Sequence, residues 1–141
     1  MSKILVAIQF FCLAILALTG PLLANSPSLL LLELAGIALA GWAILTQGIG
    51  NFNVTPDPVA EGKMVTAGPY RVIRHPMYAS LLLAVVPVVL ENPSFLRWSM
   101  LAVLVVDVQL KLTYEEKLLK ALHAEYGEYC SRTWRLIPFV Y

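Results

Sequence analysis

Four apolar stretches separated by polar breaks set the pattern of this chain. Ile4 to Ala24 ends at Asn25-Ser26-Pro27-Ser28, and Leu29 to Gly50 ends at a polar loop, Asn51 to His75, that carries Pro, Gly and most of the early charges. Pro76 to Leu90 ends at Glu91-Asn92-Pro93-Ser94, and Phe95 to about Leu112 runs into a charged, amphipathic remainder, Thr113 to Tyr141. A helix needs about 20 apolar residues to cross the hydrocarbon core, and the first two stretches approach that length. The third contains Pro87 and would reach only about 22 Å as a helix, against a core of about 30 Å. It therefore reads as the short or partly re-entrant arm of a hairpin with the fourth. The pattern predicts an all-α polytopic membrane bundle of about four membrane helices, plus a C-terminal amphipathic helix. It forms a single domain over 1–141, divided into two N-terminal spans (1–50), a loop (51–75), the hairpin (76–112) and a C-terminal segment (113–141). Lys3 gives the first stretch a basic start like that of a signal peptide, but its length and the span that follows predict an uncleaved helix.

Composition sharpens this picture. The chain has 141 residues, 59% hydrophobic and 13% charged, with a mean hydropathy of +0.74; soluble domains carry roughly 45–50% apolar and about 25% charged residues. A disordered chain is excluded by the same numbers. The net charge of +1 gives no basic face for nucleic acid. With four crossings, Lys3, Lys63, Arg71, Arg74, Lys111, Lys117, Lys120, Arg132 and Arg135 share one side and Arg97 alone lies on the other. Positive charge marks the cytoplasmic side, so both termini and the long loop are expected there. Cys12 and Cys130 are far apart, with no Cys/His cluster, and no metal site is expected. Walker, GxGxxG, GxSxG and HExxH motifs are absent.

Candidate chemistry gathers in two stretches. In the first, Gly68-Pro69-Tyr70 to Tyr78, Gly-Pro favours a turn and His75-Pro76 starts a helix, since Pro fits the first helical position. The free N–H groups there, with Arg74 and His75, could hold a carboxylate or phosphate; the same residues are also ordinary interfacial anchors. In the second, Asp107, Lys111 and Glu115 are spaced i, i+4, i+8 along one helix face. An ionisable residue near membrane depth is a functional candidate, and an ion ladder bridged by Lys111 is the structural alternative. Glu116 reads as a possible base or as solvated surface. Glu33 is a weaker candidate, the tryptophans read as interfacial or packing aromatics, and Tyr126 and Tyr129 read as packing.

Gly68-Pro69-Tyr70-x-x-x-Arg74-His75-Pro76-x-Tyr78, then Glu115-Glu116-x-x-Leu119, Tyr126-x-x-Tyr129 and Arg132-Thr133-x-x-Leu136-Ile137-Pro138-Phe139 together resemble the isoprenylcysteine carboxyl methyltransferase family, part of a wider group with phospholipid methyltransferases. The resemblance covers about Val65 to Phe139. It implies an all-helical membrane enzyme that uses S-adenosylmethionine, held in a cytoplasmic-side pocket closed by the loop before the His-Pro helix and by the C-terminal segment. Carried over, the cofactor contacts are Lys63, Met64, Val65, Tyr70, His75, Pro76, Met77, Tyr78 and Glu115. Arg74, Lys111 and Glu116 are the candidates for catalysis. Lys111 falls where eukaryotic members have an arginine implicated in substrate handling, a non-neutral change because Lys is a point charge rather than a fork. Ser80 stands in place of a frequent glycine.

The cofactor arrives activated, so the protein mainly aligns reactants and excludes water. A carboxylate acceptor needs only a cationic guide, from Arg71, Arg74 or Lys111; an amine must be neutral to attack and needs a base, Glu116 or His75. The resemblance favours methyl esterification of a prenyl-thioether acid or similar lipophile, with phospholipid N-methylation next. An NADPH-dependent membrane reductase of steroid-reductase type and a non-catalytic scaffold are the rivals. The expected partners are a lipophilic substrate and the bilayer.

Overall fold

The computed structural model describes residues 2–48, 53, 55–58 and 64–141. Among these the chain forms five α-helices and no strand. They are α1 (Ser2–Leu18), α2 (Pro27–Gln47), α3 (Pro76–Glu91), α4 (Phe95–Leu122) and α5 (Tyr126–Arg132), with a 3-10 turn at Gly68–Arg71. The all-helical expectation holds. By length and composition, α2 is the one described helix able to cross a membrane unaided; α1 and α3 are shorter apolar helices.

Two boundaries differ from the sequence pattern. The first apolar stretch stops being helical at Leu18, because Thr19 turns its hydroxyl onto the Ile15 carbonyl at 2.6 Å and Gly20-Pro21 follows. The segment from Thr113 on is not a separate amphipathic helix. α4 continues to Leu122, where the His123 N–H closes the last turn on the Leu119 carbonyl, and only the seven residues of α5 form a helix beyond it. α4 is thus one rod of 28 residues, about 42 Å long, whose last turns carry Glu115 and Glu116 beyond the apolar layer.

α2 packs along α3, and α1 along α4. The α2–α3 crossing is close because Gly36 has no side chain: a Cβ there would lie 2.8 Å from the Ala84 nitrogen and 2.9 Å from the Ser80 carbonyl oxygen. Small residues at a crossing allow this approach in membranes. Cys12 and Leu16 of α1, Val85 and Val89 of α3, and Leu101 and Leu104 of α4 form the apolar core.

The end of the bundle away from the Arg74-His75 stretch is tied by three charged groups. Arg97, almost wholly buried, donates to the Leu16 and Val88 carbonyls, both at 2.8 Å, so one guanidinium satisfies the last turns of α1 and α3. Glu33 accepts from the Ala24 N–H at 2.9 Å, and Glu91 from the Ser26 N–H at 3.1 Å. Glu33 is therefore a buried fastener of the α1–α2 turn.

Candidate active site

At the other end the chain is closed by a clamp. Residues 72–75 lie beside 134–135: the Trp134 N–H donates to the Val72 carbonyl (3.0 Å), the Arg74 N–H to the Trp134 carbonyl (2.7 Å) and the His75 N–H to the Arg135 carbonyl (3.1 Å). Glu116 sits at the centre. Its carboxylate receives Arg74 Nε at 2.9 Å, His75 Nε2 at 3.2 Å and an Arg135 guanidinium nitrogen at 2.9 Å. Arg74 also donates to the Cys130 carbonyl at 3.1 Å and to the Thr133 carbonyl. Burial alone would raise the Glu116 carboxyl, but hydrogen bonds and charge from His75 and Arg74 outweigh it and hold the group down to about 2. Glu116 is 3% exposed, so neither surface residue nor free base describes it. It fastens α4 to the loop and to the C-terminal segment.

Glu115, its neighbour in sequence, faces differently. The Tyr78 hydroxyl donates to it at 2.9 Å, and His75 Nδ1 lies 3.9 Å away. The Tyr78 ring stacks on the His75 ring, with centroids 5.6 Å apart. Burial pushes the Glu115 carboxyl up, only partly countered by His75 and the Tyr78 hydroxyl, and the adjacent Glu116 charge adds to the rise. Two consecutive glutamates are thus driven in opposite directions, an arrangement that separates an ionised anchor from a group suited to proton transfer.

Glu115 and Tyr78 line a cavity of about 450 Å³, within the range of small-molecule sites. α1, α2 and α3 line it, with Glu115 alone from α4, and its lining is part polar and part apolar. Gln47, Asn53, Thr55 and Asp57 join Glu115 and Tyr78 toward the clamp, and Ile37, Ala40, Leu81 and Ala84 lie deeper between α2 and α3. Asp57 is held below the ordinary carboxylate range by hydrogen bonds from Ser2, Thr55 and Tyr114, against a smaller opposing effect of burial. No Lys or Arg is among the described lining residues.

The expected cofactor contacts separate by position. Met77, Tyr78 and Glu115 line the cavity. His75 and Pro76 are buried at the start of α3, behind it. Tyr70 is buried at the rim, its hydroxyl donating to Gln47 Oε1 at 2.8 Å and its carbonyl accepting from the Tyr129 hydroxyl at 2.7 Å. Gly68 makes that placement possible: its φ is +53°, and a Cβ would lie 2.6 Å from the Thr46 hydroxyl. Met64 lines a separate pocket with Arg71 and Arg132, Val65 is half-buried, and Lys63 lies outside the described residues. Of the three residues expected in catalysis, Arg74 and Glu116 belong to the clamp. Lys111 is buried, 3.0 Å from Asp107 and donating to Gln9. It faces neither Glu115 nor open cavity, because a lysine at this depth takes the acid one turn back on its own helix.

Sequence reasoning passed over Gln9, Gln47, Asp57 and Arg135. Gln9 and Gln47 were legible as polar interruptions in apolar stretches; Arg135 and Asp57 acquire partners only through the fold. Ser80 keeps the packing of the glycine it replaces by turning its hydroxyl onto the Met77 carbonyl at 2.7 Å. Among the described residues no group of three His, Cys, Asp or Glu is placed to hold a metal ion.

Among the described residues the chain is thus a helical bundle with one membrane-capable helix, a cavity lined by Tyr78 and Glu115, and a clamp of Arg74, His75 and Glu116 beside it. The family model described as Phospholipid methyltransferase matches residues 28–126. The chain belongs to that family, which implies a methyltransferase of the membrane. No curated protein matches the chain. The matched region contains α2 from its second residue, α3, α4, the Arg74-His75-Pro76 stretch and the Glu115-Glu116 pair; α1 and the Trp134-Arg135 half of the clamp lie outside it.

Proposed function

We propose that this chain is a multi-pass membrane methyltransferase that uses S-adenosylmethionine to methylate the amine of a lipophilic acceptor, with both termini and the site on the cytoplasmic side. The observation that carries the amine is the charge of the cavity: Asp57 and Glu115 line it, and no described Lys or Arg does. An acid acceptor, the first expectation from the sequence, calls for a cationic guide. Arg74 is committed to Glu116, Lys111 to Asp107, and Arg71 lines the other pocket.

The donor set suits the sulfonium and the ammonium of the cofactor, and the Gln47 and Asn53 amides can donate to its carboxylate. Tyr78, Glu115, Met77 and Gln47 would hold the cofactor, the Tyr78 ring and the Glu115 carboxylate facing positive charge. Bound there, it supplies an already activated methyl group. Glu115 has the second task of taking the proton from a lipid ammonium, since only the neutral amine attacks; its carboxyl, raised by burial, is matched to that transfer better than an ordinary glutamate. Glu116, Arg74 and Arg135 hold the C-terminal segment over this end and exclude water. The apolar end of the cavity accommodates acyl or alkyl chain. Four crossings are supported by α2, by the apolar α1 and α3, and by the basic residues gathered at the clamp end.

Calorimetric titration of the purified protein in detergent, followed by methyl transfer to phosphatidylethanolamine and to a prenylcysteine analogue, tests the proposal. Saturable S-adenosylmethionine binding, weakened in Tyr78→Phe and Glu115→Gln, with transfer to the amine, is the expected result. Transfer to the acid alone would overturn the amine assignment. NADPH binding without S-adenosylmethionine binding would overturn the whole reading.

A further inference from the structure

Gln9 faces the cavity from α1 and at the same time accepts a hydrogen bond from Lys111 through Oε1. An ammonium has only donors, so Lys111 can engage only the amide oxygen. That fixes the rotamer end for end and turns the Nε2 donor pair away from Lys111. Lys111 is 1% exposed, and its charge is matched by Asp107 at 3.0 Å. The pair therefore delivers orientation to the cavity rather than net charge. Lys111 precedes Glu115 by one helical turn, about 6 Å along the axis, on the side of the apolar lining. The lining thus combines a carboxylate at Glu115, an amide at Gln9 and apolar side chains at Ile37, Ala40 and Ala84.

We infer that Gln9 is a specificity-determining residue that donates to a phosphodiester oxygen of an amine-headed phospholipid, and that Lys111 is its positioning residue. This rests on the amine-acceptor reading above. In an ethanolamine headgroup two carbons and an oxygen separate the amine from phosphorus, a span of the same order as the one-turn step along α4 from Glu115 to Lys111, the residue that holds Gln9, and the apolar lining takes the acyl chains. An alkylamine offers the first and third elements and lacks the second. Gln9 lies outside the region matched by the family, so the donor is contributed by this chain's own first helix.

The test is equilibrium binding of a short-chain phosphatidylethanolamine and of an alkylamine of equal chain length to the full chain in detergent, for wild type, Gln9→Met, Gln9→Glu, Lys111→Met and Lys111→Arg. Wild type should prefer the phospholipid by about tenfold or more. Gln9→Met should lose that preference with alkylamine affinity unchanged, Gln9→Glu should lose it by repelling the phosphodiester, Lys111→Met should weaken it, and Lys111→Arg should restore it. In methyl transfer Gln9→Met and Lys111→Met should raise KM for the phospholipid with a much smaller effect on kcat, and Lys111→Arg should return KM toward wild type. Equal binding of the two ligands by wild type, a preference retained in Gln9→Met, or no binding of either ligand overturns the inference. A wild type that shows the Gln9-dependent preference and binds no S-adenosylmethionine keeps the inference and removes the methyltransferase reading instead.

Discussion

Glu115 and Glu116 are chemically identical neighbours whose partners give them opposite tasks. Glu116 holds three basic groups and stays ionised; Glu115 holds a tyrosine and a cavity wall. Glu115→Gln should fold normally, with a melting temperature close to wild type, and should lower kcat by about 100-fold or more, the usual scale of acid–base assistance. The acidic limb of the rate profile should lie above the ordinary glutamate range, because the raised carboxyl must ionise before it can accept a proton. Tyr78→Phe removes a hydrogen bond that lowers this carboxyl, so it should move the limb to still higher pH. A limb unmoved in Tyr78→Phe would show that Glu115 is not the titrating base. The Glu-Glu pair was visible in the sequence as a motif. Its division of labour was not, because the partners Arg74, His75 and Arg135 come from 19 to 42 residues away.

At the scale of elements, the long exit of α4 and the return of the C-terminal segment act as one unit through Glu116. Glu116→Gln leaves Arg74 and Arg135 without their counter-charge, and breaking one partner of a buried pair costs about 3–5 kcal/mol. The expected outcome is a lower melting temperature in detergent and faster proteolytic release of the C-terminal residues. The pH dependence has a definite sign. The folded carboxyl titrates near 2 and the unfolded one near 4.5, so the clamp's stabilisation is complete above about 4.5 and is lost as pH falls through about 2. Thermal melts between pH 2 and 6 check this, and Glu116→Gln should flatten the dependence. The start of α3 at Pro76 was readable, because Pro at the first helical position is a local preference. The end of α1 was not read correctly: apolar residues continue past Leu18, but Thr19 and Gly20-Pro21 end the helix.

For the whole molecule, the α2–α3 crossing and the α1–α4 pair leave a space that becomes the cavity. Gly36→Leu should force α2 away from α3, since even a Cβ would meet backbone at 2.8 Å. A loss of about 1–3 kcal/mol is the usual scale of overpacking, seen as a lower melting temperature together with lost S-adenosylmethionine binding. The proposed orientation is checked by single cysteines on a cysteine-free background. Ser131→Cys should be shielded from a membrane-impermeant thiol reagent in intact cells, and Ser28→Cys should react.

The sequence alone determined the helical membrane class, the number of apolar stretches and the family motifs. Each is a local property: a run of apolar side chains, a Pro or Gly that stops a helix, a fixed spacing along a helix face. Only the tertiary structure decided which charges are already neutralised and which face open space. Arg74 and Lys111, read from the sequence as guides for an acid, are consumed by Glu116 and Asp107, while Glu115 remains at the cavity with the Tyr78 hydroxyl as its hydrogen-bond donor. Charge in a low-dielectric interior is set by the nearest partner, and that partner is chosen by packing between segments that the chain order keeps apart.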